Sequence, residues 1–253
     1  MGELGGAPTG KGKLGFEPPS ELVDLMRGCE LRRLEYYESD AEVYVLEGEG
    51  GRRFLKVVEG GGLMREWRVL NWIGGRLPVP EPVWFGAEAG RGFLVTGEVE
   101  GTPIYLIEGD EREEAVATAA GALRMIHSLS PGGCPFAYPI EEKVKTIEEK
   151  ISVDDETELR AEMPTEEPVF THGDYCLPNI LVAGEKLGGV IDWDCGGLAD
   201  PYVDLAWIIG SLEYNFGESE TREVWAPLVL DGYGIEADES RLGYYRRINE
   251  LLD

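Results

Sequence analysis

Hydrophobic and polar positions change period along the chain. Residues 42–46 (EVYVL) and 53–58 (RFLKVV) are β-branched and aromatic runs separated by Glu-Gly-Glu-Gly-Gly, which predicts two strands joined as a hairpin. From 63 to 73 apolar residues fall at Leu63, Trp67, Leu70 and Ile73, the spacing of a helix that Gly74-Gly75 ends. Pro78, Pro80 and Pro82 make an extended linker into a strand at 83–85, and a further strand at 92–96 (GFLVT) stops at Gly97. Beyond Thr102 the period lengthens. Residues 111–129 read as a long helix with Val116, Ala119, Leu123 and Ile126 on one face, and a second helix is expected over 139–151. Two short apolar runs between 170 and 192 (NILVA and LGGVID) flank a turn and predict a small hairpin. Helices follow at 203–212, 221–230 and 241–252, with Pro227 expected to kink or shorten the second. No internal repeat is visible. The order predicts an α+β chain with a strand-rich first lobe over 1–97, whose residues 1–18 are a Gly-rich flexible tail, and a helix-rich second lobe over 98–253.

Charge narrows the list of partners. The 253 residues hold 23 Lys and Arg against 49 Asp and Glu, a net charge of −26. Such a chain lacks the basic footprint that nucleic acid requires, and an anionic membrane surface would repel it. Acid-rich stretches at 98–114, 141–167 and 213–253 belong to the helical lobe or its edge, where they would attract a cationic ligand. A solvated acidic surface explains part of the same surplus. With 43% hydrophobic residues the chain can build a substantial core, yet no stretch approaches the ~20 apolar residues of a membrane span. The first fifteen residues lack the apolar core of a secretory signal, so export is not expected. Cys29, Cys134, Cys176 and Cys195 show no C-x-x-C spacing, which argues against zinc and fits a reducing cytoplasm.

The stretch His172-Gly173-Asp174-Tyr175-Cys176-Leu177-Pro178-Asn179, followed by Val190-Ile191-Asp192-Trp193-Asp194, carries the chemistry. Phosphoryl transfer needs this inventory: a carboxylate to orient the acceptor hydroxyl, and oxygen ligands for Mg²⁺. Asp174 and Asn179 have the Asp-to-Asn spacing of the protein-kinase catalytic loop. Lys56 lies inside an apolar strand, where a lysine is costly unless paired, and Glu66 on the following helix is its natural partner. A snorkelling edge lysine beside a surface glutamate is the alternative. His127 reads as a structural or capping residue, His172 as a brace for the loop, Asp194 as a solvated carboxylate and Cys176 as packing.

H-G-D-x-x-x-x-N, then I-D-W-D, then Asp200-Pro201-Tyr202-Val203-Asp204-Leu205-Ala206, resembles the aminoglycoside phosphotransferases and their relatives. The resemblance spans about Tyr36 to the end and implies a two-lobed protein-kinase-like fold, with a small antiparallel-sheet lobe carrying one helix and a larger helical lobe. By resemblance Asp174 is the catalytic base, Asn179 and Asp192 hold Mg²⁺, and Asp200 and Asp204 brace the loop and following helix, with helix capping as their main expected role. Lys56 and Glu66 match the pair that grips the nucleotide phosphates. Ser39 stands where a serine-bearing loop covers those phosphates, and the connector would bind adenine through the Gly97 C=O and the Val99 N–H. A plain turn at Ser39 and an unliganded Gly-rich linker are the alternatives.

Cys176-Leu177-Pro178-Asn179, Ser130-Pro131-Gly132-Gly133-Cys134-Pro135-Phe136 and the ending around Tyr244–Leu252 are similar to the 3′-phosphotransferase branch. There the last helix and terminus present acidic groups to the drug, which implies substrate contacts at Glu250 and Asp253 beside Asp174. The chain departs from the branch in a short 136–172 stretch, whose middle is expected to be a drug-enclosing loop. It also has Asn249 at an acidic position and Asp253 for an aromatic terminus. The implied activity is transfer of the ATP γ-phosphate to an aminoglycoside hydroxyl, at the 3′ position, conferring resistance, with GTP an alternative donor. A cytoplasmic monomer or weak dimer is expected. The alternatives are a metabolic kinase for another amino-alcohol or sugar-amine, and a nucleotide-binding pseudokinase.

Overall fold

Alternation along neighbouring strands builds the N-terminal sheet. The structure, a computed structural model, describes residues 14–34, 41–60, 62–148 and 153–252. Strands β1 (Glu30–Leu34), β2 (Glu42–Gly48), β3 (Gly51–Glu59), β4 (Pro82–Glu88) and β5 (Arg91–Gly97) form one sheet in the order β1-β2-β3-β5-β4, with every pair antiparallel. Tyr44, Leu46, Leu55, Val57, Phe93 and Val95 fall two apart on their strands and share one buried face, joined by Leu22 of helix α1 (Ser20–Met26). Each such side chain contributes roughly 1.5–3 kcal/mol when removed from water. Leu14 and Phe16, read from sequence as tail, pack on this core, and the Phe16 ring lies 5.4 Å from that of Phe93. The period of two puts Lys56 on the opposite face from Leu55 and Val57, in register with Val43 and Leu94. Helix α2 (Met64–Ile73) buries Glu66, Val69, Leu70 and Ile73, one stripe of the helix. The sheet therefore carries two helices rather than the one expected, because the seven-residue α1 is too short to show a period.

The chain divides into two compact units, the first reaching to Gly74 and resuming over Pro80–Glu98, the second comprising Gly75–Val79 and continuing from Val99. In the second unit, β6 (Thr102–Pro103) leads through a 3₁₀ turn (Ile104–Leu106) to the long helix α3 (Glu111–His127). Helices α4 (Ile140–Glu148) and α5 (Val153–Ala161) follow, then β7 (Val169–Thr171), a 3₁₀ turn at Leu177–Asn179, and the hairpin β8 (Ile180–Ala183) and β9 (Lys186–Val190). After β10 (Gly197–Ala199) the chain continues as α6 (Tyr202–Phe216), the single turn α7 (Glu218–Glu220), α8 (Ala226–Tyr233) and α9 (Glu239–Leu252). Hairpin β8-β9 is extended by β6, and β10 pairs antiparallel with β7. A π-helical turn at Thr221–Trp225 precedes α8, whose first turn holds Pro227, where a missing N–H costs nothing. Helix α5 lies within the stretch expected to be an enclosing loop; its sequence VDDETELRA has good helix formers but no apolar stripe to announce it. Among the described residues no helix is long and apolar enough to cross a membrane, and none of the four cysteines is in a disulfide.

Candidate active site

The loop from His172 to Asn179 follows directly from β7 and is held by one buried carboxylate. Asp204 lies in the first turn of α6, yet it does not cap that helix. Its Oδ2 accepts the His172 N–H at 2.7 Å and the His127 Nε2–H at 2.9 Å, and its Oδ1 accepts the Gly173 N–H at 2.7 Å. Burial alone would raise this acid, but the hydrogen bonds from the His127 ring and from the His172 N–H hold it below the ordinary aspartate value. The expected capping role thus belongs to Asp200 only, whose Oδ1 accepts the Tyr202 N–H at 3.0 Å. Its Oδ2 ties in the Glu167 N–H and the guanidinium of Arg241. His127 is structural as expected, with Nδ1 also 2.8 Å from the Tyr233 hydroxyl.

His172 is fully buried and braces the loop from both ring nitrogens. Nε2 lies 2.9 Å from the Ile191 carbonyl and so must donate, which leaves Nδ1 to accept the Asp174 N–H at 3.3 Å. Trp193 locks the following segment: it is fully buried, donates from Nε1 to the Val190 carbonyl at 2.8 Å, and packs 4.5 Å from His172 and 5.8 Å from Phe170. Gly173 permits the close approach of the two loops. Its φ is +87°, and a Cβ there would stand 2.4 Å from the Cys195 carbonyl oxygen.

This scaffold brings three of the expected groups together. Asn179 Nδ2 donates to Asp174 Oδ2 at 2.9 Å and to its backbone carbonyl at 3.1 Å. The Ile191 N–H, next to Asp192, donates to the Asn179 carbonyl at 2.9 Å. Asp192 has φ +64°, a conformation uncommon for a non-glycine residue and worth about 1–3 kcal/mol of strain. Burial pushes the Asp174 carboxyl above its usual range; Asp192 and Asp194 add to this, against the Asn179 hydrogen bond. Asn179 spends its N–H on Asp174, which leaves its amide oxygen as the acceptor. An amide and a carboxylate oxygen fit a hard cation such as Mg²⁺. Among the described residues no group of three or more His, Cys, Asp or Glu is arranged to hold a metal, so these two would be shared with phosphate oxygens and water. Cys176 and Cys195 are thiols raised by burial, Cys195 to about 12, and neither is a nucleophile at neutral pH.

In the first unit, Lys56 Nζ donates to Glu66 Oε2 at 3.1 Å, with the two side chains 20% and 7% exposed. Gly97 ends β5 and its N–H donates to the Glu81 carbonyl at 2.8 Å; the Val99 N–H has no partner among the described residues. Ser39 and Asp253 lie outside the described residues. Glu250 is exposed on the last turn of α9 and pairs with no described residue. Asn249, read as standing in for an acidic drug contact, faces inward at 6% exposure. Asp204 braces the loop as the resemblance implied, through partners some thirty residues away, and the capping expected as its main role is the part that does not hold.

The arrangement is that of a phosphoryl-transfer centre, and comparison with known proteins decides its family. The model of the phosphotransferase enzyme family matches residues 31–245. The chain belongs to that family. It is 30% identical to an aminoglycoside 3′-phosphotransferase of Niallia circulans, over 92% of this chain and 97% of that one. The crystal structure of an aminoglycoside-3′-phosphotransferase of type VIII superposes with a TM-score of 0.75 at 27% identity, covering 92% of this chain and all of that one. A Streptomyces rimosus aminoglycoside phosphotransferase in complex with ADP and streptomycin gives 0.72 at 25% identity, over 83% and 90% of the two chains. This phosphotransferase thus has the kinase-like fold, with an antiparallel sheet first and a mostly helical remainder.

Proposed function

We propose that this phosphotransferase moves the γ-phosphoryl of ATP to the 3′-hydroxyl of an aminoglycoside and thereby confers resistance. The bond between Asn179 and the Asp174 carboxylate carries the reading, because it fixes the direction of one oxygen of a loop-held carboxylate. Lys56, set by Glu66, orients the triphosphate, and Ser39 and the connector at Gly97 and Val99 contribute nucleotide contacts. Mg²⁺ held by Asn179 and Asp192 would neutralise charge on the β- and γ-phosphate oxygens. Asp174 aligns the acceptor hydroxyl and takes its proton as the new O–P bond forms. The identity to 3′-phosphotransferases and the net charge of −26 support a polycationic acceptor, with Glu250 and Asp253 as candidate contacts for its ammonium groups. The protein acts in the cytoplasm as a monomer or weak dimer, without nucleic acid or membrane. An ATP-coupled assay with 3′-hydroxyl and 3′-deoxy aminoglycosides tests this: product from the first set only is expected, and equal product from both would overturn the regiochemistry.

A further inference from the structure

Helix α4 buries Ile140, Val144 and Ile147, and the helical period puts a lysine on that same stripe. Lys143 follows Ile140 by three residues and precedes Ile147 by four, whereas Glu142, Lys145 and Thr146 are exposed. Backbone contacts fix where the stripe looks. The Tyr138 N–H donates to the Leu198 carbonyl at 2.7 Å, the Leu198 N–H to the Phe136 carbonyl at 3.0 Å, and the Ile140 N–H to Glu166 Oε1 at 3.0 Å. The start of α4 is therefore tied to β10, directly after Cys195. On that buried side, held against β10 and Glu166, Lys143 feels the field of Cys195 most strongly, then those of Asp204, Glu166 and Asp174. Burial lowers its pKa from the usual lysine value, and these acids oppose that shift.

No acid in this ring is spent on the ammonium. Glu166 accepts the Ile140 N–H, Asp204 accepts three donors, and Asp174 accepts Asn179. Among the described residues Lys143 Nζ has no hydrogen-bond or ion-pair partner, whereas nearby Lys145 and Arg160 both pair with Glu141. A partly buried, unpaired cation calls for an anion. The catalytic segment needs one too. From His172 to Gly196 the only lysine or arginine is Lys186, which is exposed, so an arriving phosphoryl group meets the carboxylates of Asp174, Asp192 and Asp194.

We propose that the Lys143 ammonium binds the γ-phosphoryl group as it passes to the acceptor, as a further catalytic residue of this enzyme. The inference rests on the phosphotransferase reading above. The acceptor oxygen bonds to the γ-phosphorus, the bond from that phosphorus to the β–γ bridging oxygen breaks, and its electron pair leaves with ADP. The acceptor proton goes to Asp174. Lys143 stays protonated throughout and contacts the non-bridging oxygens, where charge spreads in the transition state.

Steady-state kinetics of Lys143→Met and Lys143→Arg test this against the wild-type enzyme and Asp174→Asn. For Lys143→Met, kcat should fall about 100-fold. Both KM values should stay within about threefold, and the melting temperature should be unchanged or higher because the stripe becomes apolar. Lys143→Arg should recover at least about tenfold of the loss, which a merely structural lysine would not predict. A Lys143→Met kcat within about threefold of wild type, or a loss that tracks a lower melting temperature without rescue by arginine, overturns the proposal. If wild type is active and Lys143→Met is normal, only this inference falls. If wild type itself transfers nothing, the phosphotransferase reading falls with it.

Discussion

Each unit places a lysine among carboxylates, and the two are treated differently. Lys56 stands across the sheet face from Glu66 and is paired at 3.1 Å, with Glu66 on the buried stripe of α2. Lys143 lies on the buried stripe of α4 with acids around it and no partner among the described residues. A paired ammonium has its position set before a ligand arrives, and its partner cancels much of its field at a distance. An unpaired one keeps its field and bears the desolvation cost until an anion comes. The first suits holding a triphosphate that stays for the whole cycle; the second suits a group that passes through. The carboxylates of the second unit show the same division. Asp204, with three donors, is held low and rigid, whereas Asp174, with one amide and two acidic neighbours, is held high and available.

Substitutions that exchange these conditions test the contrast. Asp174→Ala should have the largest effect, a fall in kcat of about 10³-fold with nucleotide affinity retained by calorimetry. Near-normal turnover would remove Asp174 from the reaction. Asp204→Ala should follow, since it strands the His127, His172 and Gly173 donors; the cost is about 3–5 kcal/mol, or a melting temperature lower by about 10 °C. Its pH dependence has a definite sign. The folded pKa of Asp204 is below the unfolded value of about 3.9, so its stabilisation is complete above that value and is lost as pH falls through the folded one. The gap between wild type and variant should therefore narrow as pH is lowered below about 4, and a gap that widened would refute the assignment. Glu66→Gln should act more gently, raising the nucleotide KM about tenfold and leaving the acceptor KM alone. An equal rise in both would mean that the pair is not a nucleotide element. Smallest of all, Arg52→Ala, which breaks exposed contacts to Glu47 and Glu98, should leave the melting temperature where it was.

Legibility followed periodicity and covalent spacing. Strand β3 alternates, β2 and β5 stand out as continuous apolar runs buried on both faces, and α2, α3 and α6 carry apolar stripes. The edge strand β1 has no fully buried position, so ELRRL gives no pattern, and α5 has no stripe. Asp174 and Asn179 were legible as a pair because five residues of chain hold them together, and Lys56 with Glu66 because a charge inside an apolar run demands explanation. Lys143 gave a local signal, i+3 from Ile140 and i+4 to Ile147, that carries meaning only once the position of Cys195 and Asp174 is known.

By itself the sequence determined most of the longer strands and helices, the loop that carries Asp174 and Asn179, and a net charge of −26 that does not suit nucleic acid or an anionic membrane. These follow from side-chain period, local spacing and net charge, all properties of neighbours along the chain. Apart from Lys56 with Glu66, only the tertiary structure decided which charges are paired. It tied Asp204 to the His172–Gly173 backbone instead of its own helix end, turned Asn249 inward, and left Lys143 without a counterion among the described residues. Pairing is a matter of a few ångströms between residues far apart in the chain, and in a partly buried setting those ångströms separate a spent charge from an available one.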